Sequence, residues 1–380
     1  MRSINFLIKP ASSLCNMRCR YCFYADVAEN REVANMGLMS HETAENLIRA
    51  SFADVDKNGQ VNFSFQGGEP TMAGLDFYRD FVSMVEAYKP EKVSVNYALQ
   101  TNGLVIDEAW ARLLHDNHFL VGVSVDGDKE LHDLHRVDAK QKGTYNRVAK
   151  TVRLLAKYEV DTNALCVVTG RIARHPQRVY QAIRKIGLGY MQFIPCLDPL
   201  EDERGGEKYS LKPDAYGDFL CGLFDIWYRD WESGNYASVR LFDDYVHLAM
   251  GLPPGTCATS GSCGSYFVVE GDGSLYPCDF YVLDEWKLGN INDFESSPYL
   301  ELLANSPRAR EFLAEGEQKP QECTSCPWVA LCNGGCKRDW AVSGTQQHNY
   351  YCAAFKKFFE HSAERIYHIA RLETMARRGR

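Results

Sequence analysis

The sequence predicts an α/β protein in two parts, a partial (β/α)6 barrel over residues 1–235 and a cysteine-rich domain with a closing helix over residues 236–380. Two observations predict the barrel. Strand-like apolar runs alternate with amphipathic helical stretches, the pattern of a parallel sheet with crossover helices. Six such units fall short of the eight that close a TIM barrel. The third observation is the placement of the 14 cysteines, three of them within residues 15–22 and eight within residues 257–352.

Taken in order, Ile4–Ile8 is a short strand that runs directly into the first cysteines. The further strands are Val61–Phe65, Ser94–Leu99, Leu120–Val125, Asn163–Val168 and Met191–Pro195. Between them fall helices over Glu42–Val55, Leu75–Tyr88, Asp107–Asp116, Tyr145–Tyr158 and Pro176–Ile186. Ser40 ahead of Glu42 is an N-cap with an acidic first turn. Glu201–Lys208, with Gly205-Gly206, reads as a loop that could cover a substrate. Tyr216–Trp231 carries Phe219, Leu223 and Trp227 at helical spacing, a packing face. Ala353–Arg371 is an amphipathic helix that closes the second domain. In barrels of this kind chemistry gathers at the C-terminal ends of the strands.

Composition sets the class. With 45% hydrophobic and 24% charged residues the chain is an ordinary globular one. A net charge of −8 argues against a general nucleic-acid binder, because no basic face offsets it. The basic tail Arg371–Arg380 reads as a solvated helix end. No apolar run is long enough to span a bilayer, and Lys9-Pro10 interrupts the apolar start, so no signal peptide is expected. A cytoplasmic protein with no membrane partner follows. In that reducing compartment, 14 cysteines imply metal rather than disulfides.

Cys15-x3-Cys19-x2-Cys22 can converge on one small inorganic centre. A 4Fe–4S cluster that only carries electrons takes four thiolates; three leave one iron open to an outside chelator. Zinc takes four ligands arriving as two short pairs, and no fourth ligand is near. Phe23 and Tyr24 would shield the site from water. The spacing and trailing aromatic resemble the radical S-adenosylmethionine (SAM) superfamily, whose open iron holds the amino and carboxylate groups of SAM. Phe65-Gln66-Gly67-Gly68-Glu69-Pro70 follows the second strand. Alone it would be a strand-to-helix turn; after the cysteine triplet it resembles the GGEP element that meets the SAM amino group. Gln100-Thr101-Asn102-Gly103, Ser124-Val125-Asp126-Gly127, His132-Asp133-x-x-Arg136 and Cys196-Leu197 supply further groups at strand ends. Arg136 suits a carboxylate clamp, although its local sequence equally fits a surface ion pair. Cys166, Cys196 and Cys221 read as buried hydrophobes.

The later cysteines run Cys257-x5-Cys263-x14-Cys278 and Cys323-x2-Cys326-x5-Cys332-x3-Cys336-x15-Cys352, among Gly261, Gly264, Gly271, Gly273, Gly334 and Gly335. Bare spacing groups Cys323, Cys326, Cys332 and Cys336. The full series resembles the SPASM domain with its two auxiliary 4Fe–4S clusters. That resemblance instead implies an interleaved set, Cys257, Cys263, Cys278 and Cys336 for one cluster and Cys323, Cys326, Cys332 and Cys352 for the other.

Nearly end to end, the chain resembles the anaerobic sulfatase-maturating enzymes. The matching residues include Leu7-Ile8-Lys9-Pro10-Ala11-Ser12-Ser13, Tyr21-Cys22-Phe23-Tyr24 and Tyr276-Pro277-Cys278-Asp279. The resemblance implies oxidation of a Cys or Ser of a sulfatase to Cα-formylglycine, begun by a 5′-deoxyadenosyl radical that abstracts a Cβ hydrogen. It implies three 4Fe–4S clusters, SAM contacts at Tyr21, Gly68, Ser124, Arg136 and Leu197, and Asp279 as general base. By residue type alone Asp279 is equally a turn residue capping a cluster loop. Gln66, Gln100 and Tyr24 would face the sulfatase peptide, or simply be solvated strand ends. An external donor such as flavodoxin or ferredoxin would supply the electron. The alternative is a SPASM enzyme forming a thioether or other cross-link on a ribosomal peptide; such enzymes commonly carry an N-terminal recognition domain, for which the early first strand leaves no room. A zinc-stabilised scaffold would be colourless where the iron–sulfur reading requires brown protein.

Overall fold

In the computed structural model, which describes residues 1–200, 202–343 and 346–378, six parallel strands form the centre. They are β1 (Ser3–Ile8), β2 (Gln60–Phe65), β3 (Ser94–Thr101), β4 (Leu120–Ser124), β5 (Thr162–Val168) and β6 (Tyr190–Pro195), hydrogen-bonded in sequence order. The crossovers hold α1 (Phe23–Glu29), α2 (His41–Asp54), α3 (Leu75–Tyr88), α4 (Glu108–Asp116), α5 (Lys129–His135), α6 (Tyr145–Lys157) and α7 (Pro176–Lys185). Ser40 Oγ accepts from Thr43 N, the expected cap of α2.

A parallel sheet buried on both faces reads as continuous apolar sequence; this one alternates. Ile4, Phe6, Ile8, Val61, Phe63 and Phe65 are buried, and Phe63 and Phe65 each meet Phe81 of α3 edge-on at 5.1 Å. The other face is polar. Asn62 Nδ2 donates to Asn5 Oδ1 at 2.6 Å, and Asn96 Nδ2 donates to Asn62 Oδ1 at 2.8 Å. The apolar stripe therefore seats the helices, and the polar one lines the inside of the barrel.

After β6, the expected loop Glu201–Lys208 begins on Glu201, which lies outside the described residues; the remainder is irregular. α8 (Pro213–Glu232) buries Tyr216, Phe219, Leu223 and Trp227. The second half extends the same sheet at both ends. β7 (Ser238–Val239) pairs parallel with β6, then come α9 (Arg240–Ala249) and α10 (Cys257–Ser260). β8 (Phe267–Val269) pairs parallel with β1 and antiparallel with β9 (Ser274–Tyr276), which pairs with β10 (Gly289–Asn290). α11 (Leu300–Ala304), α12 (Pro307–Glu317) and α13 (Val329–Cys332) follow, then the hairpin β11 (Trp340–Ser343) and β12 (Gln346–Asn349). The last helix, α14 (Cys352–Arg378), begins on a cysteine and packs along α8 and α9. Of the tail expected to be a solvated helix end, Gly379 and Arg380 lie outside the described residues.

Candidate active site

The first cysteines occupy the loop between β1 and α1, and the turn after β2 and the end of α5 hold its backbone. Glu69 N donates to Leu14 O, Arg18 N to Val137 O and Arg20 N to His135 O, at 2.8, 2.8 and 3.1 Å. Cys15 Sγ accepts from Met17 N at 3.4 Å. Burial pushes the thiols of Cys15 and Cys19 up to about 11 and about 12, and the other thiols of the triplet push in the same direction. Thiols raised by burial in this way ionise more readily against a positive centre, the condition an iron cluster meets. Among the described residues no group of three His, Cys, Asp or Glu is placed to hold a single metal ion. A cubane with separate iron corners takes more widely spread thiolates.

Gly67 and Gly68 take φ of +86° and +42° at the end of β2. A Cβ on Gly68 would stand 2.5 Å from Leu14 O and 2.6 Å from Ser12 O, so only glycine permits this approach to the cysteine loop. The Glu69 carboxylate is fully engaged by protein. It accepts from Thr71 N (3.2 Å), Thr71 Oγ1 (2.6 Å), Thr101 Oγ1 (2.7 Å) and Asn102 N (2.7 Å). It thus joins the ends of β2 and β3.

Asp126, just past β4, organises the next group, a role its sequence context did not reveal. It is 1% exposed and accepts from Arg136 Nε at 2.9 Å, Val167 N at 3.0 Å and the Tyr21 hydroxyl. Arg136 forms a buried ion pair, not a surface one. Among the described residues only Nε of its guanidinium is bonded, leaving the terminal nitrogens for a carboxylate. His132 accepts from Asp126 N at 3.3 Å and meets Thr144 Oγ1 at 2.9 Å. Ser124 Oγ accepts from Gln100 Nε2 at 3.1 Å, and Leu197 follows β6 half-buried. Tyr21 thus lies in the cysteine loop, Ser124 and Leu197 at the ends of β4 and β6, and Arg136 directly after α5. Cys166 and Cys196 are buried, as expected, whereas Cys221 on α8 is only half-buried.

Asp279 reaches the same mouth from beyond β9. It is 3% exposed; Tyr24 donates its hydroxyl to Oδ2 at 2.7 Å, and Gln66 Nε2 donates to Tyr24 at 2.7 Å. Asp279 Oδ1 is buried with no partner among the described residues. Burial pushes this carboxyl up, while Lys9 and the Tyr24 hydroxyl draw it back down. Lys9 stands 5.1 Å over the Tyr24 ring and pairs at 2.9 Å with Glu270, which also holds Arg31 at 2.7 Å. This buried triad was not foreseen from the sequence; the available signal was a lysine ending an apolar strand.

The remaining cysteines fall into two places. Cys323, Cys326, Cys332 and Cys352 line one cavity with Trp328 and Phe355. Burial pushes Cys332 up to about 12, and the thiols of Cys323, Cys352 and Cys326 add to the effect. Cys336, also pushed up by burial, is acted on by Cys278 and Cys257 instead, and Cys263 is acted on by Cys257. Cys336, although only four residues from Cys332, therefore lies with Cys257 and Cys278 rather than with the cysteines of that cavity.

The sequence profile of the Radical SAM superfamily matches residues 10–183, and that of SPASM, an iron-sulfur cluster-binding domain, matches residues 261–327. The chain is 42% identical over 374 residues to a cysteine-type anaerobic sulfatase-maturating enzyme of Clostridium novyi, covering 98% of each. It is 31% identical to a serine-type enzyme of Klebsiella aerogenes, covering 93% of this chain and 84% of that one. The structure is similar to solved native anSMEcpe with bound AdoMet and Kp18Cys peptide. The TM-score is 0.91 at 41% identity, covering 97% of this chain and 99% of that one.

Proposed function

The chain belongs to the anaerobic sulfatase-maturating enzymes of the radical SAM superfamily, and from that premise we propose how its residues convert a sulfatase side chain to Cα-formylglycine. The enzyme oxidises a Cys or Ser of a sulfatase, with iron–sulfur clusters and SAM as cofactors. Cys is the proposed preference, supported by the higher identity to the cysteine-type relatives. A cross-linking peptide enzyme is not favoured, because the relatives matched over nearly the full length are sulfatase maturases.

Cys15, Cys19 and Cys22 would hold the catalytic cluster, and Tyr21, Gly68, Ser124, Arg136 and Leu197 would bind SAM. Arg136 offers its free guanidinium nitrogens to the carboxylate, and Asp126 fixes its position. When bound, cluster and SAM supply a carbon-centred radical that takes one hydrogen atom from the substrate Cβ. Asp279 Oδ1 then accepts the thiol or hydroxyl proton. Tyr24, held by Gln66, fixes the other carboxylate oxygen, so the free one points at substrate. Phe23 packs on Phe280 at 5.2 Å and helps exclude water.

The observation that carries the role of Asp279 is its unpartnered, buried Oδ1 beside a cysteine of the auxiliary set. Two auxiliary clusters, on Cys257, Cys263, Cys278 and Cys336 and on Cys323, Cys326, Cys332 and Cys352, would take the remaining electron. We assign residues 1–235 to the barrel and 236–380 to the auxiliary domain, flavodoxin or ferredoxin as electron donor, and the cytoplasm as location. The described residues contain no helix long and apolar enough to cross a membrane. Anaerobic incubation with SAM, reductant and a Cys-x-Pro-x-Arg peptide tests the reading by mass spectrometry. Loss of thiol sulfur with gain of a carbonyl is expected; an unmodified peptide despite SAM cleavage would overturn it.

A further inference from the structure

We propose that Lys337 sets the reduction potential of the first auxiliary cluster, holding a buried positive charge against it so that it can accept the substrate's electron. The inference rests on the assignment of Cys263 and Cys336 to that cluster. Lys337 directly follows Cys336, and its side chain is 7% exposed. The ammonium lies 3.7 Å from the ring centroid of Phe312 and 4.9 Å from those of Tyr281 and Trp286, an aromatic cage. It donates to Glu315 Oε2 at 2.7 Å and to Phe312 O at 3.4 Å. A Cβ on Gly316 would stand 2.7 Å from Cys263 Sγ and 3.9 Å from Lys337 Cδ, so the lysine stem and that thiol border the same glycine.

The charges do not cancel. Glu315 is 48% exposed and screened by water, whereas the ammonium sits in low dielectric among rings. Net charge near a cluster is one of the levers on its potential. Reduction adds one negative charge, so a buried cation nearby favours the reduced state. The electron balance requires such an acceptor. Substrate oxidation removes two electrons, one leaving with the Cβ hydrogen atom. The other would pass to a cluster held by Cys263 and Cys336 once the thiol or hydroxyl proton has gone to Asp279.

The test is an EPR-monitored redox titration of the reconstituted full-length enzyme, with iron content measured alongside. In Lys337→Met one auxiliary transition should move to lower potential while the other stays in place, and Lys337→Arg should restore it. More SAM should be consumed per formylglycine formed in Lys337→Met. If Lys337→Met fails to retain iron, Lys337→Gln, which keeps a polar head among the rings without the charge, decides the matter by the same downward shift. Unmoved potentials in an iron-replete variant overturn the inference. Undiminished iron in both Cys263→Ala and Cys336→Ala would overturn the ligand assignment instead.

Discussion

The hydroxyl of Tyr24 donates to Oδ2 of Asp279 at 2.7 Å across 255 residues of sequence, joining the barrel's cysteine loop to the auxiliary domain. One oxygen of the carboxylate is thereby fixed, and the other is buried with no partner among the described residues.

Asp279→Asn should lower formylglycine formation by about 10²–10⁴-fold, the usual contribution of a positioned base, while SAM cleavage continues. Tyr24→Phe should cost about 10–100-fold, as expected for one hydrogen bond to a charged group. Mass spectrometry of the peptide and chromatography of cleaved SAM separate the two steps. Full aldehyde yield from Asp279→Asn would remove it from the mechanism.

Gly68→Ala should displace the cysteine loop, because the new Cβ would press on Leu14 O and Ser12 O. The expected result is an EPR signal of the reduced N-terminal cluster that no longer responds to SAM, in a protein that still holds its auxiliary iron. A normal SAM response would show that the loop has room to give.

Glu270→Gln leaves Lys9 and Arg31 buried without their counter-charge. Breaking such a network costs about 3–5 kcal/mol. Denaturant unfolding should show a loss of that size; a change under 1 kcal/mol would mean that water reaches the cations.

His132 gives the fold a pH dependence. Burial lowers its imidazole from 6.5 to about 4; Asp126 and Asp133 oppose the shift, while Arg136 and Lys129 reinforce it. The unfolded chain takes up this proton near pH 6.5 and the folded one only near 4. The stabilisation is therefore complete above the higher value and drains away as pH falls toward the lower, by roughly 3 kcal/mol. Unfolding at pH 7 and pH 5 should show this slope in the native protein and a flatter one in His132→Asn. Equal slopes would assign the effect elsewhere.

Cys352→Ala and Cys336→Ala should each cost about four iron atoms of a total near twelve, and the double variant about eight. Loss of only four from the double variant would place both residues on one cluster, as bare spacing groups Cys336 with Cys323, Cys326 and Cys332.

Much of the site was legible because it is local. Three thiols within eight residues, or a Gly-Gly turn after a strand, are fixed by chain geometry alone, whatever surrounds them. The helix over Leu75–Tyr88 was legible for a similar reason: its apolar period seats one face on the sheet. Arg136 was only half legible: its local sequence fits a surface ion pair as well as a ligand clamp, and burial against Asp126 excludes the surface pair.

The sequence by itself determined the six barrel strands and five of the helices between them, and the number and spacing of the cysteines, since backbone periodicity and short spacing encode these directly. Helices α1 and α5 and the short strands β7–β12 are too brief to show such a period. Only the tertiary structure decided which partners meet across hundreds of residues. Glu270 holding Lys9 and Arg31, Tyr24 holding Asp279, and Lys337 seated among Phe312, Tyr281 and Trp286 are pairings that no local spacing names. Such pairings arise where a buried charge, once out of water, must find its partner in whatever the packed chain brings near.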